Sequence, residues 1–194
     1  IFGLAVGVAV CLVIVKYVDF ELSYDTFHKN APNIYRTTNT YYQNGDLRGR
    51  SVISSYALGP SLAADIPEVS RYVRTHPMYG GAVVTYNRAS GDPSTFHEDN
   101  NIQFADSTFL DVFTYQALQG DLNTAMDRPN SVVITRKTAM KYFGRDEDPM
   151  GKILKVSGGW ADGDYEVTAV IEDVPQNSHF TFDFLFPIHN LLQS

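Results

Sequence analysis

Histidines are the first residues whose chemistry could define a site, and the sequence holds five of them: His28, His76, His97, His179 and His189. No two are spaced at i, i+4, and no His-Glu-x-x-His motif occurs, so a zinc hydrolase has no support. No serine lies in a Gly-x-Ser-x-Gly elbow, the motif that exposes a nucleophile in α/β hydrolases. Each histidine is therefore predicted to be a surface or capping residue.

A phosphate loop is the next chemistry to consider, and Gly144 followed by Gly151-Lys152 is the closest match. Six residues separate these glycines, whereas a P-loop needs four, and Ile153 stands where Ser or Thr must hold magnesium. The acidic stretches 146–148 and 162–164 lack the full frame of a calcium loop and are predicted to be solvated turns. The sequence thus predicts no catalytic residue, no metal and no cofactor in this chain.

Composition and charge limit the kinds of binding partner and site that the chain is expected to have. The chain has 194 residues, is 44% hydrophobic and carries a formal net charge of −7. No Lys/Arg-rich run supplies the basic footprint that nucleic acid requires, so nucleic acid is excluded as a predicted partner. Cys11 is the single cysteine, which rules out an intrachain disulfide and a multi-cysteine zinc site.

The residues at positions 1–15 form a run without any charged side chain. At 1.5 Å per residue it covers about 22 Å, less than the roughly 30 Å of a hydrocarbon core, so it is predicted to begin inside a longer span. We expect a transmembrane helix over residues 1–18, truncated at its start, with Lys16 and Tyr17 at the interface. A cleaved signal peptide lacks its cleavage site here, and a buried core helix would need a polar face.

Four aromatic residues continue this helix at spacings of three and four: Tyr17, Phe20, Tyr24 and Phe27. That period predicts one helical face, on a stalk over residues 19–31 that joins the span to a domain. The four are our candidate coupling face. Acidic residues at 19, 21 and 25 favour the non-cytoplasmic side.

Two units are predicted after the stalk, which gives an α+β fold. Residues 33–76 show a strand over 34–42, a turn at 44–46, a helix of about ten residues capped by Ser55, and a strand over 69–75. Residues 80–186 are rich in strands, with Asp106 and Thr135 as helix N-caps and Gly144 as a helix stop. A final strand over 180–186 is predicted to place four phenylalanines on one face: Phe180, Phe182, Phe184 and Phe186.

Three stretches of this second unit carry a family resemblance. They are SVVITRKTAMKYFG at 131–144, DPMGKIL at 148–154 and YEVTAVIEDVP at 165–175. In this order, with FELSYDTFH at 20–28, IYR at 34–36, ADSTFL at 105–110 and Gly120-Asp121, the chain resembles the MacB-like periplasmic core domain of ABC transporter permeases, in the version seen in Bacteroidetes-type bacteria. The resemblance spans nearly the whole chain.

The resemblance implies a permease subunit of the macrolide-exporter and lipoprotein-release type, not an enzyme, in the bacterial inner membrane with its domain in the periplasm. Residues 33–76 would be the first half of a porter-like subdomain, 80–186 a Sabre-like subdomain, and 187–194 the start of the return to the porter-like part. The implied partners are an ABC ATPase subunit on a separate chain, a second permease copy, membrane lipid and a periplasmic adaptor. The family supplies no catalytic residue to carry over.

Two alternatives from other classes remain open at this point. An extracytoplasmic sensor domain of a receptor such as a histidine kinase also places an α/β domain beside one span. A membrane-anchored enzyme is a third reading, which the missing catalytic motifs disfavour.

Overall fold

The chain folds as one long apolar helix followed by a sheet domain. The computed structural model describes residues 2–89 and 91–192. The predicted start of the membrane helix at Ile1 and the predicted end of the last segment at Ser194 lie outside the described residues. Helix α1 (Phe2–Leu22) is exposed along its whole length. The domain holds the strands and short helices that confirm the predicted α+β class.

The first part of the domain is a small antiparallel sheet and a helix. Strands β1 (Asn39–Gln43) and β2 (Asp46–Ser51) form a hairpin around the turn at Asn44-Gly45, both of which have positive φ. Helix α2 (Leu58–Asp65) follows. The hairpin turn is as predicted, but strand β2 was not expected and β1 begins only at Asn39.

The predicted strand–helix–strand unit over residues 33–76 is wrong as a pairing scheme. Residues 69–74 are irregular, and strand β3 (Thr75–Pro77) pairs with a strand of the larger sheet, leaving β1 paired only with β2. β-Branched and aromatic residues predicted strands here, but strand pairing depends on tertiary partners that the local sequence does not reveal.

A nine-stranded mixed sheet forms the second part. In chain order it contains β3, β4 (Ala82–Tyr86), β5 (Ser94–Glu98), β6 (Ile102–Ala105), β7 (Ala117–Gly120), β8 (Ser131–Thr135), β9 (Ile153–Ser157), β10 (Gly163–Ile171) and β11 (Phe184–Pro187). The spatial order is β3-β6-β11-β8-β10-β9-β4-β5, with β7 beside β10. The predicted hairpin of β9 and β10 is confirmed, with Leu154 opposite Tyr165.

The central strands are buried on both faces, which gives two cores. On β8, Val132 and Ile134 face one core, while Val133 faces the other. Helix α4 (Arg136–Phe143) covers the first core and helix α3 (Phe109–Val112) covers the second. The near-continuous apolar runs of these strands follow from burial on both sides.

The four phenylalanines at 180–186 divide between these cores, so their predicted single face is wrong. The strand begins only at Phe184, and Phe184 and Phe186 lie in the first core. Phe180 and Phe182 precede the strand and pack edge-on against Phe109 in the second core. The phenylalanines occupy every second position in the sequence, but the backbone is not a β-strand over the whole of 180–186.

Helix boundaries in the second part were predicted with mixed success. Thr135 precedes α4 and Gly144 ends it with a φ of 78°, both as expected. The Thr135 hydroxyl, however, pairs with Thr138, and Asp173 accepts the hydrogen bond from the Lys137 N–H at the helix start. Asp106 does not cap α3 with its side chain, because Arg74 occupies that carboxylate.

Helix α1 ends at Leu22, so the predicted helical stalk over residues 19–31 is wrong beyond that point. The Ser23 hydroxyl donates to the Phe20 carbonyl at 2.6 Å, and the Thr26 hydroxyl donates to the Ser23 carbonyl at 2.8 Å. Asp25 has a φ of 57°. Ser and Thr hydroxyls compete for helix carbonyls, and a left-handed residue cannot continue a helix.

Candidate functional site

The segment that follows α1 lies against the sheet domain, and we call this contact region the junction. It consists of residues 23–33 and the two stretches that they contact, residues 112–115 and 177–179. The first stretch begins at the last residue of α3, and the second precedes β11. The junction is therefore the place where the chain that follows α1 is attached to the folded domain.

Asp25 is the centre of the first set of contacts. Its N–H donates to the Asn177 carbonyl at 2.9 Å. Its Oδ1 accepts from the His179 N–H at 3.0 Å, and its Oδ2 lies 2.6 Å from His179 Nδ1. The Asn177 side chain donates to both the carbonyl and the hydroxyl of Ser23, at 3.0 Å each. The positive φ of Asp25 is what turns the backbone into this arrangement, and Asp tolerates that conformation better than most residues.

His28 is the centre of the second set. The side chain is buried, with 3% of the residue exposed. Its ring contacts Phe113 and Tyr115 at centroid distances of 5.1 and 5.7 Å, and its Nδ1 accepts from the Thr114 N–H at 3.0 Å. The prediction of a surface or capping histidine is wrong for His28, because the rings of Phe113 and Tyr115, which follow α3, pack against it.

Two further hydrogen bonds extend the junction along the chain. The Lys29 N–H donates to the Thr114 hydroxyl at 3.0 Å, and the Asn30 side chain donates to the Val112 carbonyl at 3.3 Å. A 3-10 turn at Ala31–Asn33 then leads to the small sheet. Residues 23–33 are thus held against the sheet domain at three successive places and do not form a free linker.

The four residues predicted as a coupling face do not share one helical face. Tyr17 and Phe20 lie on α1 and are exposed, while Tyr24 and Phe27 follow its end. Three of them still join the junction through ring contacts: Phe20 meets Tyr24 at 5.6 Å, Tyr24 meets His179 at 5.0 Å, and Phe27 meets His28 at 4.1 Å. Their role in coupling stays a prediction.

The electrostatics of the junction favour an uncharged His28. Burial lowers the pKa of His28 below its ordinary value, and the Asp25 carboxylate opposes this only in part. Burial also raises the pKa of Tyr115, which remains a neutral phenol. In the part of the chain that the structure describes, no three His, Cys, Asp or Glu side chains are grouped as a metal site.

Sequence reasoning missed the polar half of this site. Asn177 and His179 lie more than 150 residues after Asp25 in sequence, and only the fold brings them to it. One local signal was available. Ser23, Asp25 and Thr26 are residues that favour turns and helix ends over helix interiors, and they interrupt the aromatic period.

A second anchor holds the region of α2 to the large sheet. Arg74 makes a bidentate pair with Asp106, its Nη2 lying 2.7 Å from Oδ1 and its Nε 2.9 Å from Oδ2. Arg74 Nη1 also donates to the Tyr56 carbonyl at 3.2 Å. Hydrogen bonding to Asp106 raises the pKa of Arg74. The pair is largely buried, which makes it a positioning contact between the two parts of the domain.

Comparison with protein families identifies one match over the whole chain. The model described as MacB-like periplasmic core domain matches residues 1–194. No curated protein sequence matches the chain. The family match agrees with the resemblance carried by the motifs at 131–144, 148–154 and 165–175.

Comparison with solved structures finds similar domains. A domain of a protein described as a permease from Porphyromonas gingivalis has a TM-score of 0.60 and 25% identity, over 78% of this chain and 61% of that chain. The periplasmic region of MacB from Actinobacillus actinomycetemcomitans gives 0.49 and 18%, over 71% and 58%. The extracellular domain of the noncanonic ABC-type transporter YknZ from Gram-positive bacteria gives 0.42 and 18%, over 63% and 56%. The chain spans less than two thirds of each of these structures' chains.

Proposed function

Because the chain belongs to the family of MacB-like periplasmic core domains, we propose that it is the first membrane helix and periplasmic domain of an ABC transporter permease that couples ATP hydrolysis to a change in domain conformation. Permease subunits are not themselves enzymes, and the proposed ATPase is a separate cytoplasmic chain. In this proposal the conformational change drives the export or efflux of a substrate.

The observation that carries the proposal is the direct attachment of an exposed apolar helix to the sheet domain. Helix α1 has 21 residues and a mean hydropathy of 2.0 in its most apolar window, and none of that window is buried. Such a helix is long enough to cross a bilayer. Its last residue, Leu22, is followed at once by the Ser23 and Asp25 contacts with the domain.

A path for mechanical coupling follows from those contacts. A displacement of α1 acts on Asp25 and His28, which lie three residues apart on the fixed segment. His28 packs against Phe113 and Tyr115, and both of these rings pack against Phe109. Phe109 is fully buried in the second core. Packed cores transmit displacement because they are dense and have little room to absorb it.

The remaining assignments are part of the same proposal. The partners are the ABC ATPase subunit, a second permease copy, membrane lipid and a periplasmic adaptor, in the inner membrane with the domain in the periplasm. Residues 33–76 are proposed as the first half of a porter-like subdomain, and residues 187–194 as the start of the return to it. The wide exposure of Tyr42 and Leu47 on the hairpin supports further protein packing there.

The test uses the full-length protein in its native membranes. Affinity purification in mild detergent is expected to recover a chain with ABC nucleotide-binding motifs, identified by mass spectrometry. A tag placed after residue 50 is expected to be accessible from the periplasmic side only. Recovery of a histidine-kinase module on the same polypeptide would instead support the sensor alternative and contradict the proposal.

A further inference from the structure

His28 is an ionisable side chain buried in the junction, and the proposed coupling path uses only the packing of its ring. We propose that His28 makes the junction pH-sensitive, so that acidification loosens the attachment of α1 to the sheet domain. This inference concerns the chain itself and does not rest on the transport function.

The hydrogen bonding of the imidazole requires its neutral form. Because the Thr114 N–H donates to Nδ1, Nδ1 carries no proton and the proton of the neutral ring is on Nε2. In the imidazolium both nitrogens are donors, so Nδ1–H would face the Thr114 N–H and their bond would be lost. The neighbouring hydrogen bond, from the Lys29 N–H to the Thr114 hydroxyl, depends on the same residue, Thr114.

No strong acceptor compensates for this loss. Within the described residues, His28 Nε2 has no hydrogen-bond partner, and Asp25 Oδ1 lies 3.9 Å from it. That carboxylate oxygen already accepts from the His179 N–H, and the other oxygen is in contact with His179 Nδ1. A protonated His28 would therefore be a buried cation with only a distant, shared counter-charge.

The ionisable groups around His28 can be named for each packed element. On its own segment, which also carries Lys29, the charged group that lies near the ring is Asp25, which favours the imidazolium. From residues 113–115 the facing group is Tyr115, a buried neutral phenol beside Phe113, which carries no charge. From residues 177–179 it is His179, whose Nδ1 lies 2.6 Å from the Asp25 Oδ2. Among these groups Asp25 supplies the negative charge that favours the imidazolium, and burial outweighs it.

The direction of the pH effect follows from linkage. With the folded pKa of His28 below the unfolded value of about 6.5, the open junction binds more protons than the closed one at mildly acidic pH. The closed state is therefore fully favoured above pH 6.5 and loses stability as pH falls. Between pH 7.5 and pH 5.5 the opening equilibrium is expected to increase up to about tenfold.

Hydrogen exchange of the whole chain in detergent micelles tests this. After correction for the intrinsic pH dependence of exchange, protection of peptides covering residues 23–33 and 111–116 is expected to fall, by up to about tenfold, from pH 7.5 to 5.5. Peptides of the central strands β8 and β10 serve as the internal reference and are expected to keep their protection. Equal protection of the junction at both pH values would overturn the inference.

Two matched variants identify the responsible group. In His28→Asn the carboxamide oxygen can accept from the Thr114 N–H but does not titrate, so the pH response is expected to disappear. His179→Asn, at the exposed histidine of the same junction, is expected to retain it. The opposite pattern would assign the response to the Asp25–His179 pair and overturn the proposal for His28.

A measurement on the unmodified chain covers the case in which His28→Asn does not fold. NMR titration is expected to show the His28 ring and the Thr114 amide changing together, with a midpoint below pH 6.5. A ring that titrates at or above pH 6.5, or a Thr114 amide that does not follow it, would contradict the inference.

Discussion

Replacing Asp25 by alanine gives the most specific test of the junction. The substitution removes the carboxylate that accepts the His179 N–H at 3.0 Å and contacts His179 Nδ1 at 2.6 Å. It also places alanine at a φ of 57°, which Asp tolerates better. Both effects act on the attachment of α1, and neither removes a side chain from the two cores.

The expected loss of junction stability is the sum of two moderate contributions. A hydrogen bond to a charged group contributes about 1.5–3 kcal/mol, and since Asp25 and His179 are partly exposed, about 1–2 kcal/mol is the more suitable figure. Alanine in the left-handed region adds about 1 kcal/mol. The total of roughly 2–3 kcal/mol corresponds to about a 30- to 150-fold increase in junction opening.

Hydrogen exchange at residues 23–33 is the assay, with thermal unfolding of the sheet domain measured alongside. We expect faster exchange at the junction and little change in the melting temperature. Asp25→Asn is the matched control, because it keeps an acceptor and tolerates the backbone conformation, and it is expected to show less than half of the increase in exchange. Unchanged exchange in Asp25→Ala, or loss of the whole domain's stability, would refute this account of the junction.

Three further predictions concern the rest of the chain. Arg74→Ala leaves the largely buried Asp106 carboxylate unpaired and is expected to cost about 3 kcal/mol in denaturant unfolding, with Arg74→Lys recovering only part. Gly120→Ala should destabilise by several kcal/mol, because its Cβ would lie 2.4 Å from the Thr168 carbonyl oxygen, whereas Gly45→Ala has open space and only backbone strain. Helix α1 is expected to keep the chain in the membrane pellet after carbonate washing, and release would contradict the anchor.

The parts of the fold that could be predicted are those determined by local chemistry. The strand at 82–86, the β9–β10 hairpin and the helix between Thr135 and Gly144 each have apolar patterns bounded by turn or stop residues. Gly144 could be recognised as a helix stop because the residue that ends a helix with a positive φ is usually glycine.

The parts that could not be predicted depend on contacts distant in sequence. The aromatic spacing from Tyr17 to Phe27 fitted a continuous helix, yet the Asn177 and His179 contacts hold Ser23 and Asp25 in a turn. Strand β3 was misplaced for a similar reason, since its partner β6 lies almost thirty residues further along the chain. Likewise, nothing near His28 in sequence indicated the Phe113 and Tyr115 rings that bury it.

The central claim, that the junction passes motion from α1 to the periplasmic domain, is tested most directly in the full-length permease assembled with its ATPase in lipid nanodiscs. Hydrogen exchange at residues 23–33 and 111–116 is measured without nucleotide and with ATP and vanadate. The account predicts a nucleotide-dependent change in protection at both stretches, and in Asp25→Ala a change at α1 that no longer reaches residues 111–116 while ATP hydrolysis continues. Identical protection of the junction in both nucleotide states of a hydrolysing complex would contradict it.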